Sequence, residues 1–205
     1  ISENLQRGKA KIVKELVQQA IDEGIPVQQI LDEGLLSGMG VIGEKFKNNE
    51  VFVPEVLVAA RAMNMGAQLL KPLMADAGVE AAGKVCIGTV KGDLHDIGKN
   101  IVRSMLEAAG FEVIDLGIDV PAEKVVETVK AENIKIVALS GVLTLAIDSM
   151  KKTVDALKAA GLNDVKVIIG GAPVSEEAMK ITGADEWAHS PQKTVSVCQE
   201  WSKAG

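Results

Sequence analysis

The spacing of apolar residues divides the chain into two parts. From the start to about residue 77, apolar side chains recur at the spacing of amphipathic helices. From Lys84 onward, short apolar runs alternate with helical stretches. The first pattern predicts a helical domain at residues 1–80, and the second predicts a sheet domain at residues 84–205. A linker rich in alanine and glycine, at residues 76–83, would join them.

Four short amphipathic helices are predicted in the first part, which makes a four-helix bundle. One covers residues 12–21 and ends at the stop signal Gly24-Ile25-Pro26. A second begins at Pro26, because the fixed φ of proline suits a first turn, and breaks near Gly34. A third covers residues 35–47, and a fourth starts around Pro54 and runs towards Pro72.

The second part has the alternation of an α/β fold. Apolar runs at 85–90, 112–116, 136–139 and 165–169 alternate with helical patterns at 97–109, 121–132, 148–160 and 175–182. A weaker strand at 186–188 precedes a last helix, with Ser190 as its cap and Pro191 at its first position. This order predicts right-handed βαβ units, and hence a flavodoxin-like, five-stranded parallel sheet.

Composition restricts the classes of function. The 205 residues are 47% hydrophobic and can bury a substantial core. A net charge of -6 and an isoelectric point near 5.1 argue against nucleic acid as the main partner. Two cysteines make no disulfide framework, and neither a signal peptide nor a membrane-spanning run is found, so we expect a cytoplasmic protein with no membrane partner.

The loop after the first predicted strand holds one of only two histidines. His95 follows Asp93 by two residues and precedes Gly98 by three, within the sequence Gly-Asp-Leu-His-Asp-Ile-Gly. A carboxylate beside an imidazole can hold one ring nitrogen and leave the other for a metal. The alternative is structural, with Asp93 capping the next helix and His95 solvated.

Two further short motifs follow predicted strands. Ser140-Gly141-Val142 comes after the run 136–139, and Gly170-Gly171 comes after 165–169. The carboxyl ends of the strands of an open parallel sheet are where such folds bind ligands. We therefore expect all three loops to form one site.

These three motifs, in this order, resemble those of the cobalamin-binding domain of corrinoid proteins and of cobalamin-dependent methionine synthase. The family pattern is Asp-x-His-x-x-Gly, then Ser-x-Leu, then Gly-Gly, and this chain departs from it only in having Val142 for leucine. The segment from Phe46 to Leu57 resembles the signature of the family's helical cap. The resemblance thus covers both parts of the chain and implies a Rossmann-like cobalamin-binding domain behind a bundle that caps the corrin ring.

The resemblance implies a role for each motif. His95 would replace the cofactor's dimethylbenzimidazole as the lower ligand of cobalt, while the displaced nucleotide tail enters the sheet domain. Asp93 would tune cobalt through His95, so these two are the predicted catalytic residues. In methionine synthase the relay continues to a serine, whereas this chain has Ala146 at that position, which predicts a shortened relay.

Small and hydroxyl-bearing residues would receive the tail. Ser140 and Thr144 could bind it through their hydroxyls, although Thr144 could equally cap a helix, and Gly98 and Gly170 could serve only tight turns. In the cap, Phe52 is the better candidate for touching the ring, and Phe46 is as readily a core residue. The implied cofactor contacts are Gly92, Asp93, Leu94, His95, Asp96, Ile97, Gly98, Ser140, Val142, Leu143, Thr144, Gly170, Gly171, Ala172 and Phe52, with His95 also the metal ligand.

Several residues near these motifs keep two interpretations. His189 lies near the expected tail surface but is more simply a surface histidine. Core filler and flexible apolar lining are both open for Met39, Met63 and Met65. The charged and polar motif neighbours are expected to be solvated; they are Lys91, Asp96, Lys99 and Asn100.

The function implied is that of a corrinoid methyl carrier in methylotrophic or other one-carbon metabolism. Its cofactor would be cobalamin or a related corrinoid, alternating between methylcobalamin and cob(I)alamin. The implied partners are a substrate:corrinoid methyltransferase, a corrinoid:acceptor methyltransferase and a reductive activator protein. Because the chain has no room for a substrate-binding barrel, we expect a subunit of a methyltransferase system and not a self-sufficient enzyme.

Other functions remain open. A cobalamin-sensing regulator also pairs a bundle with this domain, but it would need an output domain. A flavodoxin-like nucleotide or signalling domain without cobalt would leave the three motifs unexplained, and mutase domains usually lack the bundle. The methyl donor (methanol, methylamines, aryl methyl ethers or glycine betaine) and the acceptor (tetrahydrofolate or coenzyme M) stay undetermined.

Overall fold

The structure is a computed structural model that describes residues 1–76 and 83–204. Contacts divide the chain into two compact units, Ile1–Ala81 with Ser104–Gly110, and Ala82–Arg103 with Phe111–Gly205. Positions 77–82 of the predicted linker lie outside the described residues. Within the described ranges, no helix combines the length and the apolar character that crossing a membrane requires.

The first unit is helical, as the apolar spacing predicts. A short helix that the pattern did not predict, α1 (Ser2–Gln6), precedes α2 (Ala10–Asp22). Next come α3 (Val27–Gln29), a π-helical stretch (Ile30–Leu36) and α4 (Ser37–Lys47), all in one continuous helical run. Helix α5 (Val53–Asp76) completes the described part of the bundle and continues through Pro72.

The predicted helix break near Gly34 is wrong. Helical backbone continues from the π-helical stretch into α4, with φ -60° and ψ -41° at Ser37. Gly34 is buried, and a side chain there would come within 3.2 Å of two carbon atoms of Ile1. Close packing against Ile1, and not a break in the helix, is therefore the reason for a glycine at this position.

The bundle core is built from one face of each helix. Helix α2 buries Val13 and Val17. A Cβ atom at Gly66 of α5 would lie 2.9 Å from Leu35 and 3.2 Å from Val17, so this glycine allows close packing. Met39 and Met63 are fully buried, which makes them core residues.

The second unit is an α/β sheet domain. Over residues 83–204 its five strands are all parallel and lie in the order β2-β1-β3-β4-β5, which confirms the predicted flavodoxin-like sheet. The strands are β1 (Lys84–Thr89), β2 (Glu112–Asp115), β3 (Ile136–Ser140), β4 (Lys166–Gly170) and β5 (Glu186–Ala188). The helices of this part of the chain are α6 (Ile97–Ala108), whose residues from Ser104 onward belong to the first unit, α7 (Ala122–Glu132), α8 (Ala146–Ala159), α9 (Glu176–Thr182) and α10 (Pro191–Ala204).

The last helix begins as the sequence predicts. The Ser190 hydroxyl accepts a hydrogen bond from the Lys193 N–H at 3.3 Å, and Pro191 occupies the first helical position.

Apolar residues from β1, β3 and β4 form the centre of the domain core with one face of α7 and α8. Burial raises the pKa of the Cys86 and Cys198 thiols to about 12, so both are packing residues.

Strand register brings the three predicted motifs together. Thr89 pairs with Ser140, Ser140 with Gly170, and Gly170 with Ala188, so these residues form one row across the sheet. The row marks the carboxyl ends of four strands. The loops that follow it therefore share one edge, where open parallel sheets bind ligands.

Candidate functional site

The loop between β1 and α6 presents His95. The His95 N–H donates to Oδ1 of Asp93 at 3.0 Å, and Nδ1 of its ring lies 2.7 Å from the same oxygen. The hydroxyl of Thr89, at the end of β1, donates to the His95 carbonyl oxygen at 2.8 Å. Backbone and ring are thus both fixed, although the side chain remains 53% exposed.

Asp93 joins this loop to the one after β3. Its second carboxylate oxygen, Oδ2, accepts hydrogen bonds from the backbone N–H groups of Val142 at 2.7 Å and Leu143 at 3.0 Å. Asp93 is fully buried, so every one of these bonds is shielded from water. The Asp-x-His motif and the Ser-x-Val motif therefore meet on one carboxylate.

Hydrogen bonding determines the charge of Asp93. Burial alone would raise its pKa, but backbone N–H groups of Leu143, His95 and Val142, together with the His95 ring, hold that pKa well below its usual range. An ionised carboxylate can only accept, so Nδ1 of His95 carries the proton. In the neutral ring, Nε2 then keeps its lone pair and is the atom that can bind a metal.

Backbone contact brings the loop after β4 to the same place. The Gly141 N–H donates to the Gly170 carbonyl oxygen at 3.1 Å. Gly171 has φ +122°, and a Cβ atom there would overlap the Gly141 carbonyl oxygen. Glycine is required at 171 because two backbones approach closely.

Gly98 and Gly170 do not serve the tight turns that were their alternative role. Neither has a positive φ. A Cβ atom at Gly98 would meet no other atom within 4 Å, and one at Gly170 would only touch the Ala188 carbonyl oxygen at 3.5 Å. The open space at Gly98 is consistent with room for a ligand.

Exposed apolar side chains lie on the His95 loop and at the start of α8. In the His95 loop, Leu94 is 66% exposed and Ile97 60% exposed, and Leu145 at the start of α8 reaches 76%. Exposed apolar clusters of this kind mark binding surfaces. Three further apolar residues are exposed at this edge of the sheet, namely Ile118 in the loop after β2 and Val142 and Leu143 in the loop after β3.

The donor set fits a metal that brings most of its own ligands. Across residues 1–76 and 83–204 there is no cluster of three His, Cys, Asp or Glu side chains that could hold a metal ion. Cobalt in a corrin ring needs only one axial protein ligand, and a corrin face is broad and apolar. The exposed His95, the exposed apolar residues of its loop and the open space at Gly98 therefore fit a corrinoid.

The other predicted contacts lie on the same three loops, except Phe52. Gly92 and Asp96 are exposed on the His95 loop, and Ser140 is half-buried at the end of β3. Thr144 is exposed, and the N-terminal cap of α8 is Leu145 with no side-chain bond, so Thr144 does not cap that helix. Half-buried Gly170 and Gly171 and exposed Ala172 follow in the third loop.

The aromatic candidates differ in exposure. Phe52, in the helical unit, is 64% exposed and hence available for contact, whereas Phe46 is half-buried. Exposed His189 packs edge-on against Trp187, with ring centroids 4.3 Å apart. The contact with Trp187 gives His189 a structural partner.

One expectation about this loop is wrong. Lys99, expected to be solvated, is only 3% exposed because its ammonium group binds Oδ2 of Asp115 at 2.5 Å and the Asn100 side chain at 2.8 Å. The Arg103 guanidinium also donates to Asp115, at 3.1 Å. This buried ion pair fixes the start of α6 to the end of β2.

Two polar residues of the site were missed. Thr89 is a strand residue by pattern, and nothing in the sequence ties it to His95. Asp119 follows β2 and binds both the backbone and the Lys91 side chain of the His95 loop. The shortened relay stays a prediction: Oδ2 of Asp93 accepts from the Val142 and Leu143 N–H groups, and Ala146 is buried.

Two family models match the chain. Each is described as a B12 binding domain, and they cover residues 1–71 and 83–191. The interval between them, residues 72–82, overlaps the predicted linker at 76–83. Both parts of the chain are therefore similar to B12 binding domains.

Relatives match over nearly the whole chain. A corrinoid protein of Desulfitobacterium hafniense is 39% identical over 197 residues, which is 94% of this chain and 91% of that protein. Trimethylamine corrinoid protein 1 of Methanosarcina acetivorans is 40% identical over 189 residues, 91% of this chain and 88% of that protein.

Solved structures show the same likeness. A cobalamin-binding protein from Desulfitobacterium hafniense superposes with a TM-score of 0.84 at 42% identity, covering 98% of this chain and 96% of that one. The methanol:cobalamin methyltransferase complex from Methanosarcina barkeri gives a TM-score of 0.81 at 28% identity, covering 100% of this chain and 78% of that one.

Proposed function

The chain belongs to the corrinoid proteins built from B12 binding domains, and on this premise we propose that it carries a methyl group on a bound corrinoid between two methyltransferases. The observation that carries the proposal is the buried, ionised Asp93 holding Nδ1 of an exposed His95. That arrangement supplies one nitrogen ligand whose ring orientation is fixed by a carboxylate.

Each residue of the site has a task in this function. His95 would bind cobalt through Nε2, and Asp93 would keep the ring in the tautomer that leaves this atom free. Exposed Leu94, Ile97 and Leu145 would cover the apolar lower face of the corrin. The loops after β3 and β4 would receive the nucleotide tail, with Ser140 and Thr144 as hydrogen-bonding groups.

The bound cobalt would supply the nucleophile that accepts a methyl group and later gives it up. The protein's contribution is to hold the corrinoid, to orient its lower ligand and to exclude water from that face. Phe52 would cover the ring from the helical domain. We also propose that the helical domain ends at residue 80 and that the sheet domain begins at residue 84; the two family models end at residue 71 and begin at residue 83.

The partners follow from the relatives. One relative is named for trimethylamine, and a methanol:cobalamin methyltransferase complex contains a chain of similar structure. We therefore propose a substrate:corrinoid methyltransferase as donor partner. Methylated amines are the first donors to test, because this chain is 40% identical to the trimethylamine corrinoid protein and 28% identical to the matching chain of the methanol complex. An acceptor methyltransferase, a reductive activator protein and a cytoplasmic location complete the proposal.

Methyl loading tests this function. The purified protein is saturated with hydroxocobalamin, reduced chemically with titanium(III) citrate and treated with carbon-14-labelled methyl iodide. We expect one labelled methyl group per bound corrinoid to stay with the protein on desalting, and to leave when an acceptor thiol and a corrinoid:thiol methyltransferase are added. Label that does not load, or that leaves at the same rate without the methyltransferase, contradicts the carrier function.

A further inference from the structure

Asp119 ties the loop after β2 to the loop that presents His95. Its Oδ1 accepts a hydrogen bond from the Gly92 N–H at 2.8 Å, and its Oδ2 accepts one from the Lys91 ammonium group at 2.8 Å. In the opposite direction, its own N–H donates to the Asp93 carbonyl oxygen at 3.0 Å. One residue thus binds three consecutive residues that lead to His95.

Asp119 has the backbone conformation that this contact needs. Its φ is +53°, in the left-handed region that few residues other than glycine, asparagine and aspartate adopt readily. Backbone hydrogen bonds fix the loop to β1 on either side of Asp119. The Val120 N–H donates to the Thr89 carbonyl oxygen at 2.9 Å, and the Thr89 N–H donates to the Gly117 carbonyl oxygen at 3.0 Å. The carboxylate is therefore delivered from a rigid segment.

The carboxylate of Asp119 is ionised at neutral pH. Lys91 and the Gly92 N–H hold its pKa below the usual range. The carbonyl oxygen of Lys91 is fixed as well, because it accepts a hydrogen bond from the Ser149 hydroxyl at 2.8 Å. The segment 91–93 is consequently held by Asp119 of the loop after β2 and by Ser149 of helix α8.

Asp93 receives support from both sides. Its carboxylate is held by the N–H groups of Val142 and Leu143, and its carbonyl oxygen is held by Asp119. A change in the backbone at Asp93 would shift Oδ1, the atom that orients the His95 ring. Loss of the Asp119 contacts therefore reaches the imidazole without any direct contact between Asp119 and His95.

We propose that Asp119 is a positioning residue that fixes the Asp93–His95 pair, and so sets the fraction of bound cobalt that His95 ligates. This inference rests on the proposed function, because it takes His95 as the lower ligand. Asp119 acts through Gly92 and Asp93. The readout must therefore be the ligation state of the metal, together with the mobility of the loop in the protein without corrinoid.

Three variants separate the contributions of Asp119. Asp119→Gly removes the carboxylate while glycine accepts the positive φ, so the fold should be kept. Asp119→Asn keeps both an acceptor for the Gly92 N–H and a residue tolerant of this conformation. Asp164→Ala is the matched control, because it removes an exposed aspartate–lysine pair, Asp164 with Lys135, at the start of β4.

The test is electron spin resonance of the Co(II) form of the corrinoid-loaded proteins, where histidine ligation appears as nitrogen splitting. In Asp119→Gly we expect the ratio of histidine-ligated to unligated cobalt to fall about tenfold, the cost of losing about two ordinary hydrogen bonds. Asp119→Asn should stay within about twofold of wild type, and Asp164→Ala should not differ from it. In the corrinoid-free protein, the Gly92 N–H should exchange with solvent faster in Asp119→Gly alone.

The outcomes separate this inference from the function on which it rests. If wild type shows no nitrogen splitting from histidine, the proposed function fails and the inference fails with it. If wild type shows the splitting and Asp119→Gly shows the same ratio, only the role of Asp119 is overturned. Equal losses in Asp119→Gly and Asp164→Ala would also overturn it, since they would indicate general destabilisation.

Discussion

Oδ1 of Asp93 lies 2.7 Å from Nδ1 of His95, and the two side chains differ sharply in exposure. Asp93 is fully buried, whereas 53% of the His95 side chain is open to solvent. The pair therefore connects the interior of the sheet domain to the surface where a ligand can bind. Shielding of the carboxylate from water makes its hold on the ring strong.

The first prediction concerns the Asp93→Asn variant. The Asp93 carboxylate accepts four hydrogen bonds, two on each oxygen. In the variant, the asparagine NH₂ group would therefore face a donor whichever way the amide is turned. We expect the free energy of unfolding to fall by about 1–3 kcal/mol. Urea titration of the corrinoid-free protein measures it. Asp96→Asn, an exposed change in the same loop, should be neutral, and equal losses in both variants would contradict the importance of burial.

The second prediction concerns space at Gly98. A Cβ atom there meets nothing within 4 Å, and the residue lies in the first turn of α6. Gly98→Ala should therefore leave the fold at least as stable as wild type, since alanine favours a helix by up to about 1 kcal/mol. Corrinoid affinity, measured by fluorescence quenching or calorimetry, should nevertheless fall. Unchanged affinity would indicate that the cofactor does not occupy this space.

The third prediction concerns acid stability and Asp115. Burial alone would raise the pKa of Asp115, but Lys99, the Gly117 N–H and Arg103 lower it below its usual range. A lowered folded-state pKa gives stability that is complete above the unfolded value of about 3.9 and is lost as pH falls towards the folded value.

The matching variant is Asp115→Asn. Because Lys99 would stay buried without its carboxylate, we expect a loss of about 3 kcal/mol at pH 7. Urea unfolding from pH 7 to pH 3 should show a smaller acid-induced loss in the variant than in wild type. Parallel curves would mean that Asp115 is not the group responsible.

The fourth prediction concerns the thiols. Burial raises the pKa of Cys86 and Cys198 to about 12, so both are neutral and inaccessible at pH 8. Mass spectrometry after iodoacetamide treatment should find no alkylation in the native protein and two labels after unfolding in urea. Rapid native labelling of either cysteine would contradict its packing.

Features that depend on residues close together in the sequence were predictable from it. The strands ending at Thr89, Ser140 and Gly170 are continuous apolar runs, and the motif residues follow them directly. Once the sheet is parallel, its geometry brings their carboxyl ends together. This is why the Asp93 and His95 loop could be placed beside the other two loops before the structure was known.

Features that depend on residues distant in sequence were not predictable. The burial of Lys99 needs Asp115 of the neighbouring strand, and the role of Asp119 needs the pairing of β1 with β2. The role of Gly34 also depends on a distant residue, Ile1. From the sequence alone, a glycine that makes room for another side chain cannot be told from one that ends a helix. Pro72 lies inside α5, although a proline in a helical sequence pattern usually marks the end of the helix.

The central claim is that His95 ligates cobalt, and isotope labelling tests it most directly because the chain has only two histidines. Protein labelled with nitrogen-15 in histidine is loaded with unlabelled corrinoid and measured by electron spin resonance in the Co(II) form, beside unlabelled protein. We predict that the triplet splitting from nitrogen-14 becomes a doublet, that His189→Ala keeps this change and that His95→Ala loses it. A triplet that persists in the labelled protein, or a doublet that persists in His95→Ala, would contradict the account.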